Sequence, residues 1–319
     1  MPELPEVETI RRHLAPRVEG RRLSALVISD PRWCRPLAPA ELAAAVEGRR
    51  VEQLGRRGKY LVWWLESDVF LIVHLRMTGN LLHRTDPGAP PPGHTRVRFE
   101  LDDGESAGAG SLGSSAGAGL PGEDELVFTD PRRFGTGELA LGVDARDAFF
   151  AARLGVEPLG DEFTGAYLRA LARGSRAPVK AFLLNQKRVA GVGNIYADEA
   201  LFRARIHPLW PAERLSAAQC AALRDGVVGA LKAGIAAQGA SIDDFRHPDG
   251  VRGAFQDEFL VHRREGAPCP VCGRPVRKLV AAGRGTYVCE GCQPRPRVRR
   301  RRQAASGTSR PSRSARTSS

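Results

Sequence analysis

The stretch CPVCGRPVRKLVAAGRGTYVCEGC places Cys269, Cys272, Cys289 and Cys292 in the spacing C-x2-C-x16-C-x2-C. Each C-x2-C pair can present two thiolates from one tight turn, and four thiolates close a tetrahedral zinc site. A closed shell leaves no open position, so the spacing predicts one structural Zn2+ and a small ribbon folded around it over residues 263–293. A redox dithiol would need one reactive pair rather than two matched ones. Cys34 and Cys220 lie outside the spacing and are expected as ordinary packed side chains.

A chain of 319 residues has room for two further domains before that ribbon. No apolar run approaches the roughly 18 residues of a membrane span. The run Val69 to Val73 suits a buried strand, and the acidic N-terminus lacks the apolar core of a secretory signal. A cytoplasmic monomer without membrane contact is the expectation. The formal charge of +12 points to a polyanionic partner. Its distribution is uneven. Residues 294–319 hold nine arginines and no acid, which leaves +3 of the +12 for residues 1–293. A nucleic-acid site on the body must therefore be a local patch. The tail, rich in Arg, Ser and Pro, is expected to be disordered. Arg274, Arg277, Lys278 and Arg284 between the cysteine pairs suit a nucleic-acid reader; the bland alternative is a solvated basic face.

Local patterns divide the rest. Runs rich in β-branched and aromatic residues at 23–29, 60–66, 69–75, 95–101 and 125–129, punctuated by Gly, Pro and Asp, predict an antiparallel β-sandwich or barrel. RVRFELDDG and DELVFTD read as two arms of one hairpin, and the Gly/Ala/Ser-rich 103–124 between them as a disordered insertion at its tip. Helical periodicity follows at 163–172, 179–184, 196–204 and 217–233. The expected organisation is an α+β multidomain protein: a sandwich domain with a flanking helix over 1–142, a helical domain over 143–262, the zinc ribbon over 263–293 and the basic tail over 294–319.

The chain opens with MPELPEVETI. Leu4, Val7, Ile10 and Leu14 form one apolar stripe, so residues 2–15 predict a helix that stops near Pro16. Proline at the first helical position and acids in the first turn are ordinary helix-start features.

That opening, RRGKYLV at 56–62, HLRMTG at 74–79, DPRRFG at 130–135, GVGNIYADEALF at 191–202 and the four-cysteine ribbon occur in this order. Together they resemble the bacterial formamidopyrimidine-DNA glycosylases, bifunctional repair enzymes that remove oxidised purines and cleave the abasic strand. The resemblance runs from residue 1 to 296, outside the 103–124 insertion. It implies a β-sandwich with a flanking helix, a helix–two-turn–helix domain, a zinc ribbon, and duplex DNA carrying oxidised bases or abasic sites as the partner. It also implies that Met1 is removed and that Pro2 becomes the nucleophile. The secondary amine so exposed titrates near about 8, far below lysine, and forms an iminium that is necessarily cationic.

By the same resemblance Glu3 protonates the ribose ring oxygen and Glu6 supports the N-terminal geometry. Lys59, His74, Asn194 and Arg284 grip phosphates around the lesion. Taken alone, His74 would read as a satisfied structural histidine and Asn194 as a helix N-cap. Met77, Arg132 and Phe134 match the set that fills the gap left by a flipped base. As isolated residues, Met77 and Phe134 would read as core. The stretch QGASIDDFRHPDGVRGAFQ, 238–256, stands where the family caps the lesion, but it departs from the common pattern at Asp243 and Ala254. No base contact is assigned there.

Two other readings compete. Endonuclease VIII, a relative acting on oxidised pyrimidines, is disfavoured by Leu4 and by the combination of Met77, Arg132 and Phe134. A non-catalytic zinc-ribbon DNA-binding protein would keep the basic ribbon without needing Pro2, Glu3 and Lys59.

Overall fold

The computed structural model describes residues 2–84, 90–102, 125–242 and 246–296. The expectations for residues 103–124, for most of the arginine tail and for Asp243 therefore lie outside the described residues. Helix α1 spans Leu4–Val18. It begins two residues later than its periodicity predicts, because Glu3 is still extended; Pro2 precedes the helix and Pro5 sits in its first turn. Pro16 does not stop it. A proline in the last turn forfeits a single hydrogen bond, and the turn is held by burial of Ala15 and Val18.

Among the described residues, eight strands build the N-terminal part: β1 Arg22–Ile28, β2 Val51–Arg57, β3 Tyr60–Leu65, β4 Val69–His74, β5 Asn80–Arg84, β6 Thr95–Asp102, β7 Glu125–Thr129 and β8 Thr136–Leu141. They form two four-stranded antiparallel sheets, in the orders β1-β6-β7-β5 and β2-β3-β4-β8. The two predicted hairpin arms pair as β6 and β7. Between the sheets lies a core that includes Leu23, Phe99, Phe128, Leu71 and Trp63, with Trp63 stacked on Phe99 at 5.3 Å. Every residue of β4 is buried, because both its faces are covered. Val69, Leu71 and Val73 face the sandwich core, while Phe70 and Ile72 pack with Phe150 and Leu154 in or next to α3 (Val143–Ala151). The short helix α2 (Pro39–Val46) packs on β1.

The second part is helical: α4 Gly165–Ala172, α5 Val179–Leu184, α6 Asn194–Arg203 and α7 Ala217–Ala236. Two turns separate α5 from α6. The Gln186 side chain holds them, donating to Leu184 O and Val192 O at 3.1 and 2.8 Å and accepting from Gly191 N at 2.9 Å. Leu4 of α1 belongs to this helical core, not to the sandwich core. Helix α1 therefore joins the two halves.

The C-terminal ribbon is one antiparallel hairpin, β9 (Arg277–Ala281) and β10 (Arg284–Val288). Its two-residue turn, Ala282-Gly283, takes positive φ at both positions, the geometry that suits the twist of a tight hairpin. The fold is thus an antiparallel β-sandwich with a flanking helix, a helix–two-turn–helix unit and a zinc ribbon.

Candidate active site and zinc centre

The N-terminal segment is buried where the three parts meet. Pro2, Glu3 and Glu6 are all buried. Leu4 N donates to Gly191 O at 3.1 Å, fixing the start of α1 on the linker before α6. The carboxylate of Glu3 then accepts from Ile195 N at 3.0 Å and Tyr196 N at 3.4 Å. These are free N–H groups of the first turn of α6, where an anion is favoured. Reading Asn194 as the cap is therefore incorrect: α6 begins at Asn194, and the cap is supplied by Glu3, almost two hundred residues away. Gly193 is required here, because a Cβ on it would lie 2.2 Å from Glu3 Cδ.

Glu6 stands one turn on. It accepts from Glu3 N at 2.8 Å, from Tyr196 Oη at 2.7 Å and from Ala240 N at 2.8 Å. Burial, with the charge of Glu3 next to it, pushes the Glu6 carboxyl above its usual range. The phenol of Tyr196 is pushed well up by burial and by Glu6, so it stays a donor. Tyr196 and Ala240 escape sequence reading. Tyr196 lies inside the GVGNIYADE motif, but nothing local says that its hydroxyl turns toward residue 6.

Lys59 follows Gly58 in the turn between β2 and β3 and is 5% exposed. Burial lowers its pKa, opposed by the charges of Glu3 and Glu6, and Arg284 lowers it further. Groups from the first helix, the β2–β3 turn and the ribbon thus share one electrostatic environment. Glu157 holds the Lys59 turn: it accepts from Gly58 N and Arg56 Nη1 and pairs with Arg57 at 3.2 Å. Sequence reading gave no signal for that role.

His74 ends β4, paired across from Tyr60 at the same end of the sheet as Lys59. Its Nδ1 accepts from Arg76 N at 2.9 Å, so the remaining proton is on Nε2. Burial, then the charges of Arg76 and Lys59, depress its pKa to about 3. A neutral imidazole with Nε2–H is a directional donor. Asn194 Nδ2 donates to Gly285 O of β10 at 3.1 Å, leaving its second amide proton for another acceptor. Arg284 opens β10 with its side chain exposed.

Met77, Arg132 and Phe134 lie in two loops held together by Asp130. That buried carboxylate accepts from Thr78 Oγ1, from Arg132 N at 3.2 Å, from Phe134 N at 2.8 Å and from Gly135 N at 2.7 Å. Met77 is 36% and Phe134 50% exposed, so neither is core. The Arg132 guanidinium lies over the Phe134 ring at 4.9 Å. A thioether, a ring and a cation are thereby presented together to solvent. A cleft of about 600 Å3, bounded by Glu8, Arg56, Trp64 and Arg146, contains none of the sequence-predicted site residues.

In the ribbon, Cys269 and Cys292 place their sulfurs 3.8 Å apart, Cys272 and Cys289 3.4 Å, and all four lie within 4.8 Å of one another. A tetrahedron with zinc–sulfur bonds of about 2.3 Å requires sulfurs about 3.8 Å apart. The residues fit one structural Zn2+ held by four thiolates, whose chemistry is to fold the ribbon. The ribbon docks on the helical unit through a buried network. Lys180 Nζ donates to Asp198 Oδ1 and Thr286 Oγ1, each at 2.7 Å, and Asp198 Oδ2 lies 2.9 Å from His262 Nδ1. Cys34 and Cys220 are buried in the two larger cores.

Three family models match in succession: the formamidopyrimidine-DNA glycosylase N-terminal domain over residues 1–137, its H2TH domain over 154–246, and the zinc finger found in FPG and IleRS over 266–295. The formamidopyrimidine-DNA glycosylase of Gluconobacter oxydans is 41% identical over 298 residues, covering 92% of this chain and all of that protein. The Thermus thermophilus enzyme of that name is 42% identical over 299 residues, 92% of this chain and 98% of its own.

The chain belongs to the formamidopyrimidine-DNA glycosylase family.

It is a DNA-repair enzyme of that class, a glycosylase with abasic-site lyase activity. Among solved structures, MutM (Fpg) from Thermus thermophilus superimposes with a TM-score of 0.76 at 41% identity, covering 92% of this chain and 98% of that one. The Lactococcus lactis Fpg in complex with abasic-site DNA reaches 0.80 at 32% identity, covering 92% of this chain and all of that one. No described helix is long and apolar enough to cross a membrane.

Proposed function

We propose that this enzyme binds duplex DNA, flips out an oxidised purine such as 8-oxoguanine or a formamidopyrimidine, and excises it through a Schiff base on Pro2. The observation that carries the reading is the seating of the N-terminal segment: Glu3 on the start of α6, with Glu6, Lys59 and Arg284 in electrostatic reach. With Met1 removed, the Pro2 amine attacks C1′ of the flipped nucleotide. The bond from C1′ to the base breaks and the base leaves with the bonding pair. Glu3 protonates the ring oxygen, the sugar opens, and a C1′ iminium forms. Loss of the C2′ proton then expels the 3′ phosphate, and a second elimination expels the 5′ phosphate. Hydrolysis frees the amine.

Lys59, His74, Asn194 and Arg284 hold the flanking phosphates, and each supplies what that role needs. Lys59 brings a point charge, His74 and Asn194 directional N–H donors, and Arg284 a fork. Met77, Arg132 and Phe134 occupy the space vacated in the stack; their common exposure supports this. Glu6 holds the backbone of Glu3, which keeps Pro2 oriented. Domains divide at residues 142, 262 and 293 in this reading, and the enzyme acts as a cytoplasmic, nucleoid-associated monomer.

Borohydride trapping tests the proposal. Duplexes with 8-oxoguanine opposite cytosine should give a covalent protein–DNA adduct with the wild type and much less with Pro2→Gly, whose N-terminal primary amine can still form an imine. An adduct that is undiminished in Pro2→Gly but lost in Lys59→Ala would move the nucleophile to Lys59. Lactococcus lactis Fpg has also been solved with DNA containing an oxidised pyrimidine, at a TM-score of 0.79. A parallel oxidised-pyrimidine duplex therefore belongs in the assay, and preferential trapping there would favour the endonuclease VIII-like reading.

A further inference from the structure

We propose a second metal site, distinct from the four-cysteine centre, in which His13, His247 and Asp249 bind a first-row divalent cation of the Zn2+, Co2+ or Ni2+ class. His13 lies on α1, and the other two belong to the turn over residues 246–251. One ligand atom from each comes within 4.8 Å of the others. His13 Nδ1 is 3.8 Å from Asp249 Oδ2, and the two imidazole rings meet edge to face at 5.2 Å. Two imidazoles and one carboxylate are a donor set that selects this class of ion over Mg2+ or Ca2+.

Two of the three ligands are already held by partners outside the set. His247 is fully buried, and its Nε2 lies 2.7 Å from Gln238 O. The proton is therefore on Nε2 and the lone pair on Nδ1, the tautomer that an outer carbonyl usually imposes on a metal-binding histidine. Asp249 Oδ1 accepts from Val251 N at 3.0 Å, which leaves Oδ2 turned toward His13. Asp249 is 43% exposed in its side chain and His13 22%, so an ion can enter from solvent and complete its shell with water.

The turn also pairs with the sandwich, since His83 N donates to Pro248 O at 2.7 Å. A bound ion would cross-link this turn to α1, the helix that carries Glu6 and follows Glu3. It would strap one side of the N-terminal segment without touching it.

Zinc-loaded full-length protein titrated with Co2+ decides the matter. One Co2+ per chain should bind beyond the structural zinc. Its d–d absorption should lack the thiolate charge-transfer band that replacement of the ribbon zinc would give. His13→Gln, at a partly exposed position, and His247→Gln should each weaken that binding by more than the roughly 10–100-fold that loss of an outer-shell partner costs. No binding beyond the zinc, a thiolate band, or unchanged affinity in His13→Gln would overturn the site. His13→Gln decides alone if His247→Gln does not fold.

Discussion

Single ionisable groups in this site are set by what surrounds them. His74 is the clearest. Its imidazole is buried and neutral, with Nδ1 fixed by a backbone donor and its pKa driven to about 3 by burial and two neighbouring cations. Protonation thus favours the unfolded chain, where histidine titrates near its ordinary 6.5. Stability from this group is complete above pH 6.5 and falls as pH drops from there toward about 3. The slope it adds is about 1.4 kcal/mol per pH unit at most. Urea unfolding at pH 7.5 and about 5.5 should show His74→Gln losing less stability between the two conditions than the wild type. Equal losses would mean that His74 is solvated or already charged. Glu6 shows the opposite sense, a carboxyl raised by burial and by Glu3; three donors surround it.

At the scale of elements, the telling contact is the end of one helix used to hold another. Helix α6 presents its first N–H groups to a carboxylate just before α1, and Gly193 makes the approach possible. Gly193→Ala forces a Cβ into Glu3 Cδ, so the carboxylate must leave the end of α6. A displacement of about 1 Å at a reacting centre can cost about 100-fold. Single-turnover excision of 8-oxoguanine at saturating enzyme should fall by that order in Gly193→Ala. Retention of the α-helical circular dichroism would show that the loss is local. Wild-type rates in the variant would mean that Glu3 need not sit on α6. Asp130 plays a similar part for loops, since one carboxylate binds the backbone of the Arg132–Gly135 turn and the Thr78 hydroxyl. That is why Met77 and Phe134 stay exposed although their types favour a core.

Over the whole molecule, the ribbon and the sandwich have separate apolar cores. The ribbon core of Val261, Val276, Cys269, Cys289 and Cys292 joins α6 through Phe202, whereas the sandwich has its own apolar core. Metal binding by four thiolates is largely the folding energy of the ribbon. Chelation, or Cys289→Ser, should therefore abolish tight binding to lesion duplexes while near-ultraviolet signals from Trp63 and Trp33 in the sandwich persist. Unimpaired binding by Cys289→Ser would contradict this. The charge distribution carries a second prediction. Nine arginines follow the ribbon while residues 1–293 carry only +3. Each phosphate such an arm neutralises adds about 0.9 to the slope of log affinity against log salt. Deleting 297–319 should flatten that slope and weaken binding to undamaged duplex, with lesion preference little changed. Superimposable slopes for the two proteins would mean that the arm does not touch DNA.

Much of this was legible in the chain itself. Four cysteines at one spacing specify a metal centre because thiolates and tight turns leave few other uses for them. The strands β3, β4 and β7 and the helices α5 and α7 follow from unbroken runs and periodicity, since burial on one or two faces dictates them residue by residue. Strands β2 and β8 were not legible. VEQLGRR is largely polar, TGELAL carries a glycine and has Thr136 as its single β-branched or aromatic residue, and each becomes a strand because a neighbour offers it a ladder. The motifs carried the site's residue list in the same way, but not its wiring. Glu3 capping α6, Tyr196 turning its hydroxyl onto Glu6, and Glu157 bracing the Lys59 turn join residues about a hundred to two hundred positions apart. No local propensity encodes such a pairing. It exists only once two hydrophobic cores have formed and brought their polar edges together, so tertiary structure alone decides which carboxylate meets which donor.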